Sequence, residues 1–192
     1  GRSLLLGNDP ATLGNWPIAS ATNLRAALAR VGRIMDAEED VLFLYVSTHG
    51  SEDGELSVEL PPLQLSQIRP AALARMLHES GIKWKVLVIS ACYSGGFIEP
   101  LKDENTLIIT ATDARNQSFG CDNGEDFTWF GKAYFDEALR RTRSFAEAFE
   151  LARASVAQRE REQKLTASNP QMYAGAAIKH KLAGLEARLK TK

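Results

Sequence analysis

VLFLYVSTHG (residues 41–50) and KVLVISACYSGG (residues 85–96) decide how this sequence folds. Each opens on an unbroken apolar run rich in β-branched or aromatic residues and ends on a polar turn containing glycine. Such runs, bounded by turn residues, predict strands covered on both faces, as in a parallel sheet. Residues 41–47 are thus expected to form a strand buried on both sides that stops at Thr48-His49-Gly50. Residues 85–91 form a second, which delivers Cys92 at its end, and residues 106–111 a third.

The segments between and after these runs read as helices and turns. Thr22 is expected to cap a helix on which Leu24, Ala27, Leu28 and Val31 recur at helical spacing, with Gly32 weakening its last turn. Residues 51–62 are polar, then alternating, with Asp53-Gly54 as a turn signal, and predict a small hairpin closed by Pro61 and Pro62. Pro70 opens a helix over residues 71–80, with Leu73, Met76 and Leu77 on one face and Gly81 just past its end. Residues 127–141 and 144–164 are helical in composition, the latter with a stripe of Phe145, Ala148, Phe149, Ala152 and Val156. Asn169-Pro170 interrupts before a short segment over residues 172–178. Strands alternating with helices imply crossover connections, hence an α/β fold with a mostly parallel central sheet and helices on both faces. The expectation is one domain over residues 1–192, without internal repeats.

Composition narrows the function. The 192 residues are 44% hydrophobic and 24% charged, the balance of a globular chain. The 23 Lys plus Arg against 24 Asp plus Glu leave a net charge of -1, and no basic footprint for a nucleic acid. No apolar run approaches the roughly 18–20 residues of a membrane helix, so no membrane contact is expected from this segment. The two cysteines, Cys92 and Cys121, are too few and too differently flanked for a disulfide framework or a four-ligand metal site.

His49 and Cys92 carry the chemistry. Ligands of parallel α/β sheets bind at the carboxyl ends of the strands, and both residues follow such ends, 43 positions apart. Taken singly, a strand-terminal cysteine is ordinarily a packed residue and a loop histidine a surface one; together they can form a cysteine–histidine dyad. Gly50, Gly95 and Gly96 let substrate approach the backbone and leave amides for an oxyanion, with those of Gly50 and Cys92 as candidate donors. Cys92 would attack a peptide carbonyl to give a thioester, His49 would protonate the leaving amine, and water would release the acyl group. That scheme uses a peptide or protein substrate and needs neither metal nor organic cofactor. His78, His180 and Cys121 are assigned no catalytic role.

A strand ending in His-Gly and a later strand ending in Ala-Cys resembles the caspase signature, and the legumain family fits better. YVSTHGSEDGEL (residues 45–56) is similar to that family's histidine block, and VISACYSGGF (residues 88–97) to its nucleophile block. ATDARNQSFGC (residues 111–121) is similar to the stretch after the next strand. The resemblance there places Ser118 in the primary specificity pocket, preceded by Gln117. NPQMYAG (residues 169–175) resembles the family's late Gln-Tyr-Gly strand. Over residues 23–175 the resemblance, to bacterial-type members, implies a caspase-like α/β/α sandwich and cysteine endopeptidase activity.

Three departures bear on specificity. Tyr93 stands where legumains carry a pocket Glu. Thr128, with Asp126 nearby, precedes Trp129 where the family places an Asp. By this resemblance the sequence is expected to begin after the family's first strand, which carries a pocket Arg and an Asn that orients the histidine. A small polar or acidic residue near Ser118 and Gln117 is the expected substrate side chain. Two other activities remain open. A transamidase would depend on an acceptor amine, and a silent interaction module would not need the dyad. Residues 122–126 and 163–168 are loop-like enough for self-cleavage.

Overall fold

The structure, a computed structural model, describes residues 3–120 and 127–190. Cys121, Asp126 and the segment 122–126 lie outside the described residues. Four strands form one sheet: β1 (Leu42–Ser47), β2 (Lys85–Ser90), β3 (Thr106–Thr110) and β4 (Gln171–Ala174), in that spatial order. The first three run parallel, with Ser47 opposite Ser90 and Val88 opposite Ile109, and β4 runs antiparallel to β3.

Side chains of the two central strands alternate between two cores, because successive residues of a strand point to opposite faces. Val86, Val88, Leu107 and Ile109 pack with Phe130, Tyr134, Phe149, Ala152 and Ile178. These come from the helical segment opened by α4 (Trp129–Gly131), from α5 (Phe145–Glu162) and from α6 (Ala176–Lys190). Leu87, Ile89 and Ile108 pack on the other side with Leu28, Leu73, Met76, Phe97 and Leu101. That layer is α1 (Ala21–Ile34), α2 (Pro70–Glu79) and α3 (Ile98–Leu101) with the 3-10 turn before it. Every residue of β2 and β3 is buried, each large apolar side chain contributing about 1.5–3 kcal/mol. Two helical layers around a mostly parallel sheet make this an α/β/α sandwich.

Several expectations change. The run 41–47 is not buried on both faces: β1 is an edge strand, and its residues alternate, with Phe43 and Tyr45 each 40% exposed. Their rings lean on Phe135 and Phe145 at the rim of the core rather than inside it. The cap of α1 is Ser20, not Thr22: the Asn23 amide donates to Ser20 Oγ at 3.2 Å. Gly32 does not weaken the helix, which runs on to Ile34. A Cβ there would lie 2.0 Å from the Ser80 carbonyl oxygen, so the glycine lets α1 close on the end of α2.

Residues 51–62 form no regular hairpin. They turn at Gly54 (φ 74) and are held by single bridges from Leu56 to Gly50 and to Ile68. Within 127–141, α4 gives way to a π-helix over Lys132–Ala138. The C-terminal 15-residue α6 is an addition to the expected elements. Its Ile178 and Leu182 are buried in the core of that face.

Candidate active site

His49 and Cys92 each follow the carboxyl end of one of two adjacent strands, β1 and β2, which are in register. Ser47 faces Ser90, the Thr48 amide continues the ladder to the Ser90 carbonyl at 3.2 Å, and each residue of the pair comes two positions later. Gly50 then lies directly on the Cys92 backbone. A Cβ on it would sit 2.0 Å from the Cys92 carbonyl oxygen, 3.0 Å from its carbon and 3.3 Å from its nitrogen. The neighbour that requires a glycine here is thus the backbone of Cys92. Neither the Gly50 amide nor the Cys92 amide donates to a partner among the described residues.

Gly95 and Gly96 differ from each other. A Cβ on Gly95 would come within 2.6–2.7 Å of the backbone of Asp113 and Ala114, so the loop after β3 crosses over it. The Gly96 amide donates to the Tyr93 carbonyl at 3.1 Å, which removes it from the donors available to an oxyanion.

The Cys92 sulfur is half-buried and bonded to the β3 loop. The Ser118 amide donates to Sγ at 3.2 Å, and Sγ lies 3.7 Å from the Ser118 carbonyl. The His49 side chain is exposed and makes no hydrogen bond among the described residues; dyad contacts in ligand-free sites are often long and tighten with substrate. Tyr93, next in the chain, has left-handed backbone (φ 58, ψ 14), a conformation costing about 1 kcal/mol or more outside glycine. Its surroundings hold it there. The Tyr93 amide donates to Asn116 O at 2.9 Å, its hydroxyl to Glu52 Oε1 at 3.1 Å, and Gln117 Nε2 donates to that hydroxyl at 3.0 Å. The Ser94 amide donates to Thr112 Oγ1 at 2.9 Å, completing the reversal.

The loop carrying Gln117 and Ser118 is built on Asp113. Its Oδ1 accepts from the Arg115 amide at 2.8 Å. Its Oδ2 accepts from Asn116 Nδ2 at 2.7 Å and Asn169 Nδ2 at 3.1 Å. Burial pushes the Asp113 carboxyl up, but the Arg115 amide and the two asparagine side chains prevail and hold it below its usual range. Behind the loop, the Trp129 amide donates to Phe119 O at 3.1 Å, and Arg159 lies over the Trp129 ring. Thr128 caps α4 through the Gly131 amide at 3.0 Å and shares a 2.9 Å hydrogen bond with Ser90, two residues before Cys92.

Glu52, Asp113 and Thr128 join the predicted residues. Asp113 carries the one available sequence signal, an acidic residue two and three positions before loop amides, as in an Asx turn; Glu52 carries none. Among the described residues no group of three His, Cys, Asp or Glu side chains is placed to hold a metal ion, and no helix is long and apolar enough to cross a membrane. A groove lined by Ala74, His78, Lys85 and Asp103 lies at the opposite, amino end of β2 and β3.

Among solved structures, a caspase-1 from Spodoptera frugiperda superposes with a TM-score of 0.59 at 18% identity, over 83% of this chain and 69% of that one. It shows a shared fold. No curated protein matches the sequence. The model of the peptidase C13 family matches residues 22–180, the span that contains both strand ends, the loop after β3 and β4. The chain belongs to the peptidase C13 family, the legumain family of caspase-like cysteine peptidases.

Proposed function

We propose that the chain is a cysteine endopeptidase with Cys92 as nucleophile and His49 as its acid–base partner. Family membership supports a cysteine peptidase-type function. The observation that carries the finer reading is the contact of Gly50 with the Cys92 backbone, at the carboxyl ends of two strands in register. In this reading the Cys92 proton passes to His49 and Sγ bonds to the substrate carbonyl carbon. The Gly50 and Cys92 amides donate to the oxyanion. Collapse breaks the C–N bond, the amine leaves with the proton from His49, and a thioester remains. Water, losing a proton to His49, then displaces the thiolate, which recovers that proton as the acid departs. The Ser118 amide is a further donor, aimed at the sulfur on which negative charge develops, and Ser118, Gln117 and Tyr93 form the substrate-facing wall.

Wild type, Cys92→Ala and His49→Ala are compared on a library of fluorogenic peptides, with and without a free amine acceptor. The expected result is cleavage by wild type that falls by more than about a thousandfold in either variant. Transfer of the acyl group to the amine in place of hydrolysis makes the enzyme a transamidase. Equal silence of wild type and variants refutes the enzyme reading in favour of a binding scaffold.

A further inference from the structure

The loop leaving β1 brings a carboxylate to the wall beside the nucleophile. Glu52 is exposed, three positions after His49, and its Oε1 accepts from the Tyr93 hydroxyl at 3.1 Å. That hydroxyl oxygen already accepts from Gln117 Nε2 at 3.0 Å, which directs its proton to Glu52. Tyr93 directly follows Cys92, and Gln117 directly precedes Ser118, whose amide bonds to Sγ. The loops after β1, β2 and β3 are therefore joined around the sulfur by one chain of side-chain bonds, and Glu52 is its charged end.

That charge has no counterion among the described residues. Glu55, in the same loop, pairs with Arg69 at 2.5 Å, whereas Glu52 forms no ion pair among the described residues. Asp53 beside it is also exposed and forms no ion pair among the described residues. On the loop after β3, the Asp113 carboxylate is engaged by the Arg115 amide and two asparagines. Arg115 is the basic side chain of that loop, and it is exposed. A carboxylate fixed beside a tyrosine ring suits an ammonium or guanidinium group, and repels a second carboxylate.

We propose that Glu52, anchored by Tyr93, is the charge-selecting residue of the cleft at Cys92: it admits a lysine or arginine side chain next to the nucleophile and refuses an acidic one. The identity of the substrate side chain rests on the peptidase reading; the charge selection at the sulfur does not.

The two are separated by one set of experiments. In a Cys121→Ser background Cys92 is the sole thiol. Its rate of modification is measured with trimethylammonioethyl and sulfonatoethyl methanethiosulfonates, at low ionic strength and above the ordinary imidazole titration range. The cationic reagent is expected to react faster. Glu52→Gln should lower the cation-to-anion rate ratio by about threefold or more, and added salt should erase the difference. Arg115→Gln should raise the ratio. In parallel, wild type and Glu52→Gln cleave peptides with Lys, Arg, Gln, Asp or Glu before the scissile bond, and the cationic preference should fall in the variant. A rate ratio unmoved by Glu52→Gln, or a wild-type preference for Asp or Glu, overturns the proposal even where Cys92-dependent cleavage stands. A shifted ratio with no cleavage of any peptide sustains charge selection and sinks the peptidase reading instead.

Discussion

Replacing Gly50 by alanine tests the contact on which the site rests. The added Cβ would stand 2.0 Å from the Cys92 carbonyl oxygen, where ordinary contact begins at 3.4 Å. The loop after β1 and the Cys92 backbone must therefore part by about 1.4 Å, and the obstructing atoms are backbone, not the movable end of a side chain. Over-packing of this kind costs about 1–3 kcal/mol, which lowers Tm by about 2–4 °C per kcal/mol in a chain of this size. A displacement of about 1 Å between reacting groups costs about 100-fold in rate, so kcat/KM should fall by two orders of magnitude even where the variant is fully folded. Gly96→Ala is the matched control, because its Cβ would meet nothing within 4 Å. Both variants are followed by thermal denaturation and by hydrolysis of the best wild-type peptide. Gly50→Ala within about threefold of wild type, with an unchanged Tm, refutes the argument that β1 and Cys92 are in backbone contact.

Thr128→Ala removes both the α4 cap and the hydrogen bond to Ser90, and is expected to cost about 1 kcal/mol by urea denaturation. A neutral result would show that the tether between α4 and the end of β2 carries no net energy. Asp113 predicts an acid lability. Its folded carboxyl titrates below the ordinary 3.8, so its contribution to stability is complete above that value and is lost as pH falls through the lower folded one. Asp113→Asn should be less stable than wild type at neutral pH and should lose less stability on acidification. Parallel pH profiles of the denaturation midpoint would exclude Asp113 as the source.

What the sequence disclosed follows from how each residue acts. Residues 85–90 and 106–110 were legible as strands because burial on both faces leaves only apolar choices at nearly every position. The same rule misread residues 41–47: Phe43 and Tyr45 are aromatic on an edge strand, where partial cover by Phe135 and Phe145 favours the residue types that full burial favours. The position of His49 and Cys92 just past two neighbouring strand ends is legible because the runs before them are apolar up to the turn. Ser118 illustrates the reverse. Its contact with the sulfur is made by its amide, which every residue except proline possesses, so no residue type could announce it. Glu52 is a common surface residue whose partner Tyr93 lies 41 positions away and itself accepts from Gln117, 24 positions further on; only the closing of three loops reveals it. Helix α6 is not legible in the sequence because its lysines and arginines hide the few buried positions, Ile178 and Leu182.

The register of β1 against β2 makes the spacing of His49 and Cys92 a discrete quantity. Backbone pairing admits only whole-residue steps, and a single step would turn every side chain of the shifted strand to the opposite face. The interval between the two residues is then insulated from the chain that joins them. Exposed stretches within segment 51–84 can change length, while α2 stays tied to the core by Leu73, Met76 and Leu77 and the ruler that sets His49 against Cys92 stays at the same mark.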